Sequence, residues 1–578
     1  MRKYLHIHLS RQEIDTELLQ GEAQVSRGRH FIARTLLDSG AASVDPLSPE
    51  NPLIFSAGPF AGSNFSNANR ISVGCKSPLT GGIKEANSGG SFAFALGQIE
   101  AAGLTLHGAS PDWVVVRISR EGEVSFDSAQ AYLGLGTHAA AKLLFERYGA
   151  KVSIALCGPV GEYLGLMAGI SFTDTDGRPS RLAARGGVGA VMGSKKVKAI
   201  VIDLHKMPPF HDRKKLIGEI REYGARIAKD PTVDNFRRLG TAAMGDVMNL
   251  IGALPVNNFS RGQLVNPTKG TFKLGGDYVR SLNMSRKGEP THACMPGCQI
   301  ECSNVYVDAQ GKEMVSPLEY ESLGLMGSNL GLTHPDQVAR LNAVANDLGV
   351  DSIEAGATLG VLLEDGQAAF GDLDFLLEAL EDMRRGNERG RLLAQGAARV
   401  GAHYRVRRIP TVKRQAISAY DPRVIEVTGI SMMLTAQGAD HTAGAAATYD
   451  CSGKTTAELV AVSIAAQIAA AAADSLGLCI FGRAVTAASA ERVIDALNAA
   501  CGTELPATYL QALGREAILR EWEFNKAAGF TAADNGLPDF FYTEPLPPSG
   551  KMARHSGAEV SRCLQEQLAV PLCTESKR

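Results

Sequence analysis

Three cysteines recur at even spacing in Cys294-Met-Pro-Gly-Cys298-Gln-Ile-Glu-Cys302, and a fourth, Cys479, stands 177 residues further on. Thiolates are soft ligands, and four of them suit either a tetrahedral zinc or a cubane iron–sulfur cluster. Zinc sites usually close locally with two short-spaced pairs, whereas three clustered thiols and a remote fourth are a common arrangement for a [4Fe–4S] cluster. A cluster would make the protein a conductor of single electrons. Cys75, Cys157, Cys451, Cys501, Cys563 and Cys573 show no such pattern and are read as ordinary thiols. His292, two residues before the triplet, is expected to support the cluster from outside its ligand set.

Two glycine-rich loops accompany the cysteines. Asn69-Arg70 leads through Lys76-Ser-Pro-Leu-Thr-Gly81 to Asn87-Ser-Gly89-Gly90, and the second loop reads Ala184-Arg185-Gly186-Gly187-Val-Gly189. A guanidinium beside open glycine backbone suits a phosphate or a polar ring system. GxGxxG spacing with a following acid is not met, so a Rossmann site is not expected. Two further segments resemble each other: Asn346-Asp-Leu-Gly349-Val350-Asp351 and Asp474-Ser-Leu-Gly477-Leu478-Cys479. Each follows an alanine-rich helical pattern, so each is expected to be a helix ending at a left-handed glycine. Two unrelated glycine caps would look the same.

The elements that must position these residues fall into two regions. Residues 1 to about 205 alternate β-type runs with Gly/Ser/Asn turns: Leu53–Ser56, Trp113–Ile118, Val152–Leu156 and Ala199–Ile202, with one helix expected over Ala129–Tyr148. After Pro208-Pro209 the periodicity becomes helical, over Leu216–Ala228, Pro335–Leu348, Glu354–Leu363, Phe375–Met383, Glu388–Tyr404, Thr456–Ala473 and Ala488–Ala500. The stretch from Pro545 on reads as extended. The class is α+β: a sheet-rich domain over 1–208, then helical domains over 209–412 and 413–578. A formal net charge of −2 offers no field for nucleic acid. The most apolar run, Leu459–Ala473, is too short to span a bilayer and reads as a buried helix. Ten scattered cysteines in so large a chain point to a reducing, cytoplasmic setting rather than a disulfide framework.

The ordered set of motifs resembles the aldehyde ferredoxin oxidoreductase family, the tungsten or molybdenum bis-pyranopterin enzymes, over essentially the whole chain. The motifs that carry the likeness are Arg70-x5-Lys-Ser-Pro-Leu-Thr-Gly, Asn87-x-Gly-Gly, Ala-Ala184-Arg-Gly-Gly-x-Gly-Ala-Val-Met-Gly-Ser-Lys, the cysteine triplet and Asp474-Ser-Leu-Gly-Leu-Cys. The resemblance implies a metal held by pterin sulfurs, a sheet-rich base beneath it and two helical domains above. It implies that Arg70, Asn87, Gly89, Ala184, Arg185, Gly186 and Gly187 line the pterins and their phosphates. One turn (Asn346, Val350, Asp351) and the other (Asp474, Leu478) would each clasp one pterin. Cys294, Cys298, Cys302 and Cys479 would hold the cluster beside one of them. Glu321 and His441 match the family's active-site acid and histidine, with Asp421 as a third candidate. The implied reaction is oxidation of a small-molecule aldehyde to a carboxylate, with a ferredoxin or ferredoxin-like subunit taking the electrons; the chain would act as a homodimer or in a hetero-oligomer.

Some positions depart from that pattern. The first cysteine gap holds three residues where two are usual in the aldehyde-oxidising members. Gln437 stands for an arginine, Ala443 for a lysine and Asn346 for an aspartate. The departures mark a divergent branch and leave two other readings open: the catalytic subunit of a complex that reduces a non-aldehyde substrate such as an aromatic ring, and a non-catalytic metal-binding scaffold.

Overall fold

The computed structural model describes residues 1–568; Cys573 lies outside them. Its N-terminal part is built twice. The strands β1 (Arg2–His8), β2 (Glu13–Leu19), β3 (Leu53–Ala57), β4 (Ile71–Lys76), β5 (Ile83–Ser88) and β6 (Ala101–His107) form one sheet in the order β2-β1-β6-β3-β4-β5. The strands β7 (Val114–Ile118), β8 (Val124–Ser128), β9 (Val152–Cys157), β10 (Ile170–Phe172), β11 (Arg181–Ala183) and β12 (Val197–Asp203) form a second, in the order β8-β7-β12-β9-β10-β11. Position by position the two orders are the same. So are the directions, since β1 pairs β6 and β7 pairs β12 in parallel while every other neighbouring pair is antiparallel. Both parallel pairs carry a register shift at their first residues.

The helices repeat as well. α1 (Gly28–Asp38) and α3 (Thr137–Tyr148) follow the first hairpin of each half, and α2 (Phe92–Gln98) and α4 (Val188–Ser194) precede its last strand. In each short helix the sixth residue is a glycine against backbone: a Cβ on Gly97 would lie 2.1 Å from the Ala61 carbonyl oxygen, and one on Gly193 2.0 Å from that of Gly161.

The two sheets face each other across one core, where Phe55, Phe92 and Phe172 meet ring against ring. α1 covers the outer face of the first sheet through Phe31, Ile32 and Leu36, and α3 that of the second through Ala140, Ala141 and Leu144. Strands buried on both faces read as continuous apolar runs, which is why Leu53–Ala57 and Val152–Cys157 lack alternation.

Beyond β12, Pro208 and Pro209 lie in the loop leading to the helix Arg213–Lys229, and helices dominate thereafter. The sheet-rich-then-helical α+β class holds. The second expected boundary, after residue 412, falls in the hairpin Thr411–Val412/Gln415–Ala416, and one large core joins residues on both sides of it.

Three element expectations need correction. Ala129–Tyr148 is not one helix: a 3-10 turn at Gln130–Tyr132 precedes α3, separated by Gly134 and Gly136. Glu388–Tyr404 splits into Glu388–Leu393 and Ala397–Tyr404 at Gly396, whose φ of +90° and close approach to Glu354 exclude a side chain. The segment after Pro545 contains the helix Gly557–Leu568.

Among the described residues one helix, Thr456–Ser475, is long and apolar enough to cross a membrane. It packs inside the protein instead. Gly514 meets the Ile468 carbonyl of this helix at 2.1 Å from where a Cβ would be, and Ser463 hydrogen bonds Ser431 at 2.7 Å.

Candidate active site

The two Asx-x-Leu-Gly segments occupy equivalent places in the duplicated base. The helices Pro335–Leu348 and Thr456–Ser475 end at them, with Gly349 at φ +70° and Gly477 at φ +68° in the left-handed cap position. Each turn is set down on a glycine that follows the third strand of its half. A Cβ on Gly58 would lie 2.0 Å from the Leu476 carbonyl oxygen, and one on Gly158 2.2 Å from that of Leu348. Each glycine carbonyl then accepts a hydrogen bond from the residue before the fourth strand: Gly477 from Arg70 N–H at 3.1 Å, Gly349 from Gly169 N–H at 2.9 Å. The similarity of the two segments thus has a structural basis, one turn per half. Val350 pairs with Ala168 and is buried, as is Leu478.

Polar side chains gather around each turn. On the first half Arg70 donates to the Asn87 side chain at 2.6 Å and to its carbonyl at 3.1 Å, and Asn87 donates to Asp474 at 3.2 Å. Arg29, clamped by Glu521 through two hydrogen bonds of 2.6 and 2.9 Å, reaches Asp474 at 3.2 Å. Burial pushes the Asp474 carboxyl up to about 6 against the pull of Arg29 and Arg70. Glu85 is driven up to about 8, by burial and then by Asp474, and its Oε1 has no partner.

On the second half Arg185 is fully engaged. It donates to Asp351 at 3.2 Å, to the carbonyls of Ala439 and Ala416 at 2.5 Å each, and to Ser418 at 3.4 Å. Asn346 is buried, and its carbonyl accepts from Thr137 at 3.1 Å. Ala184 lies against Gly169. Gly186 and Gly187 have φ of +80° and +81°, and a Cβ on Gly186 would strike the Lys84 side chain.

All four motif cysteines are free, three of them buried and Cys294 half-buried. They share one pocket. Burial, reinforced by the neighbouring thiols, raises Cys294 to about 11 and Cys298 to about 12. The backbone fixes them from the N-terminal domain: Cys479 N–H donates to Asn67 O at 2.8 Å, and Gly90 N–H to Cys294 O at 2.9 Å. Gly89 leaves room for Cys294, whose Sγ lies 3.0 Å from a Cβ there.

Among the described residues, the one trio of Cys, His, Asp or Glu with ligand atoms all within 4.8 Å is Asp174, Asp176 and His292, so no three of these sulfurs come that close. Sulfurs on a single tetrahedral zinc would stand about 3.8 Å apart. The sulfurs are therefore not gathered as closely as the ligands of a single tetrahedral zinc. The His292 imidazole hydrogen bonds Asp174 at 3.3 Å, and its backbone bridges to Cys302.

Glu321 and His441, 120 residues apart, meet. The Glu321 carboxylate accepts from Ala419 N–H at 2.9 Å through Oε2. Its buried Oε1 lies 3.3 Å from His441 Nε2 without hydrogen-bond alignment, and has no other partner. The far nitrogen of His441, Nδ1, is 2.8 Å from the Ser418 hydroxyl, the same hydroxyl that Arg185 reaches. Tyr420 lies with its ring 5.4 Å from that of His441, and its hydroxyl has no hydrogen-bond partner among the described residues. Next to His441, Asp440 is tied to Lys84 at 2.6 Å; Lys84, then Arg185 and His441, hold its carboxyl far below the usual range despite burial.

Asp421 is not part of this group. Arg423 grips both its oxygens, at 2.9 and 2.6 Å, in the protein core. Ser418 and Tyr420, which the sequence reading passed over, flank Ala419 just ahead of it.

The aldehyde ferredoxin oxidoreductase N-terminal domain matches residues 4–204, and domains 2 and 3 of that family match residues 219–569. The tungsten-containing aldehyde ferredoxin oxidoreductase of Pyrococcus furiosus is 30% identical over 573 residues, covering 94% of this chain and 92% of that protein. The aliphatic sulfonate oxidoreductase WOR-like subunit of the same organism is 25% identical, covering 87% and 82%. Among solved structures, the active-site complex of benzoyl coenzyme A reductase with 1,5-dienoyl-CoA shares the fold, with a TM-score of 0.79 at 18% identity over 98% of this chain and 94% of that one. Matched along nearly its full length, with the duplicated base, the two turns and the thiol pocket in place, the chain belongs to the aldehyde ferredoxin oxidoreductase family.

Proposed function

We propose that this protein is a tungsten- or molybdenum-pterin oxidoreductase that oxidises an aldehyde to a carboxylate and passes electrons through a [4Fe–4S] cluster to a ferredoxin or a ferredoxin-like subunit. When bound, the metal–pterin group supplies two-electron redox chemistry and the cluster divides the pair into single electrons. Cys294, Cys298, Cys302 and Cys479 would hold the cluster. Arg70, Asn87, Gly89, Asp474 and Leu478 would hold one pterin, and Ala184, Arg185, Gly186, Gly187, Asn346, Val350 and Asp351 the other.

One observation carries this reading. The Arg70 guanidinium extends from the Asn87 carbonyl to within 3.9 Å of Cys479 Sγ, so the thiol pocket and the first cradle share a wall. Electron transfer between the two groups then needs no further carrier.

The chain's own groups account for the proton chemistry. Conversion of an aldehyde and water to a carboxylate releases two electrons and three protons. Glu321 presents an unpaired carboxylate oxygen as proton acceptor. His441, held at Nδ1 by Ser418, directs Nε2 at the same place, where it orients the substrate oxygen and carries a proton onward. That oxygen is itself buried, although the side chain is 20% exposed, which keeps competing water from it.

Cytoplasmic location, the ferredoxin-type partner, assembly as a homodimer or hetero-oligomer and the three-domain division (1–208, 209–412, 413–578) belong to the same proposal. The deciding experiment is metal analysis and EPR of reduced, anaerobically purified protein. Tungsten or molybdenum with a [4Fe–4S] signal is expected; zinc alone overturns the reading. Turnover of an aldehyde panel with a viologen dye then separates aldehyde oxidation from reduction of another substrate by the same fold.

A further inference from the structure

Two cations beside the Glu321–His441 pair are neutralised: Lys84 is bound to Asp440 at 2.6 Å and Arg185 to Asp351 at 3.2 Å. Arg483 is not. It is exposed, no carboxylate lies within ion-pair distance of it among the described residues, and its one hydrogen bond goes to the Ala445 carbonyl at 3.4 Å.

That bond places it. Ala445 lies four residues after His441, just past the turn closed by Gly444 N–H donating to His441 O at 3.2 Å. Arg483 itself opens the helix Arg483–Ala488, four residues after Cys479. The guanidinium thus stands on the loop that carries His441. Tyr420 is buried with its ring tilted 5.4 Å from that of His441, and its hydroxyl is likewise without a hydrogen-bond partner among the described residues. One uncommitted cation on the His441 loop and one uncommitted hydroxyl on the residue beside the His441 ring therefore lie near the reacting pair.

We propose that the substrate carries, besides its aldehyde, an anionic group that Arg483 holds at the rim of the site while Tyr420 hydrogen bonds the chain between them. A guanidinium with all but one donor free suits a carboxylate, sulfonate or phosphate oxygen pair in a two-point contact. Neutral aldehydes of the same length lack that contact and leave Arg483 in water. The inference rests on the proposed aldehyde oxidation, and deepens it by naming the substrate class.

The test compares kcat/KM of the metal-loaded holoenzyme for 4-oxobutanoate and glyceraldehyde 3-phosphate with that for butanal, using a viologen dye. The wild type is expected to prefer an anionic substrate, and Arg483→Ala to reduce the ratio about tenfold or more, the effect of losing one charge-assisted contact. Arg483→Lys should retain part of the preference, and the more favoured of the two anions identifies the tail. Equal use of charged and neutral aldehydes, or a preference that survives Arg483→Ala, overturns the inference and leaves the proposed function intact.

Calorimetric titration of succinate, the expected product, into the unreduced protein adds a readout independent of turnover. If no aldehyde is oxidised at all, the proposed function fails. Succinate binding that Arg483→Ala abolishes then still supports the anion site, and absence of binding overturns it.

Discussion

Glu321 Oε1 lies 3.3 Å from His441 Nε2 inside the protein and takes no hydrogen bond, although the other oxygen of the same carboxylate is fixed on Ala419. An unsatisfied buried carboxylate oxygen is unfavourable unless something else occupies it. Under the proposed function this oxygen, opposite an oriented imidazole, takes a substrate proton. Glu321→Gln preserves the Ala419 contact and removes the base. The expected outcome is a loss of kcat by about 10²–10⁴-fold with unchanged metal content and melting temperature. His441→Ala should act similarly. Activity within a factor of two of wild type in either variant would remove the pair from the mechanism.

The thiol pocket gives a second expectation. Cys479 is the one ligand candidate from the C-terminal part of the chain, and its backbone is pinned to Asn67 in the N-terminal domain. Cys479→Ser keeps the size of the side chain but substitutes a hard oxygen for a soft thiolate. Iron content and the EPR signal of the reduced cluster should fall to near background, while the pterin proposed for the second half, at Arg185 and the Asn346–Asp351 turn, should remain. Elemental analysis for iron, tungsten and molybdenum checks both statements. Retention of full iron would show that the fourth ligand lies elsewhere.

Much of this site is legible in the sequence because its chemistry is concentrated in types with few other uses. Cysteines at repeated spacing, arginines beside paired glycines and glycine caps after helical patterns all survive as local signals. The duplication of the base does not. Its two halves keep the strand order and the glycine contacts at Gly58 and Gly158 but not the side chains, and β10 has three residues where β4 has six. Ser418 and Tyr420 are silent for another reason: their roles arise from the Arg185 and His441 contacts, made across a fold in the chain. Asp421 misleads because a buried Asp–Arg clamp and a catalytic acid look alike in one dimension. The breaks at Gly134 and Gly396 interrupt periodic runs that remain apolar on both sides, so periodicity alone reads through them.

Three imidazoles on the neighbouring strands β1 and β6, those of His6 and His8 each stacked on His107, give a pH prediction away from the metal sites. His107 lies 5.4 Å from His6 and 5.0 Å from His8, ring to ring, with His6 Nδ1 3.1 Å from its Nε2. Burial, then His6, His8 and Lys195, lower His107 to about 4, with Asp15 opposing. The folded protein therefore binds this proton less readily than the unfolded chain, whose histidines titrate near 6.5. The stability associated with a neutral His107 is complete above about pH 6.5 and declines as pH falls from there toward 4. In melting curves, His107→Gln should lose less stability than wild type between pH 7 and 5. Parallel curves for the two proteins would show that His107 does not titrate in this range.

The pairing of Gly58 with Gly158 yields the sharpest structural prediction. Neither needs a positive φ, so only space forbids a side chain, and the space is taken by a backbone carbonyl oxygen, of Leu476 at 2.0 Å and of Leu348 at 2.2 Å. A carbonyl within a capped turn cannot move aside as a flexible side chain can. Gly58→Ala and Gly158→Ala should each displace one turn, destabilise the protein by about 1–3 kcal/mol and lower tungsten or molybdenum content to a similar degree. Gly218→Ala is the control. It meets nothing within 4 Å on the helix Arg213–Lys229, where alanine is the better helix former, so it should leave metal content unchanged and stability equal or slightly higher. If the two turns hold equivalent halves of one cofactor, the Gly58 and Gly158 variants fail alike. Normal metal content in one of them would show that only the other turn bears on the metal site.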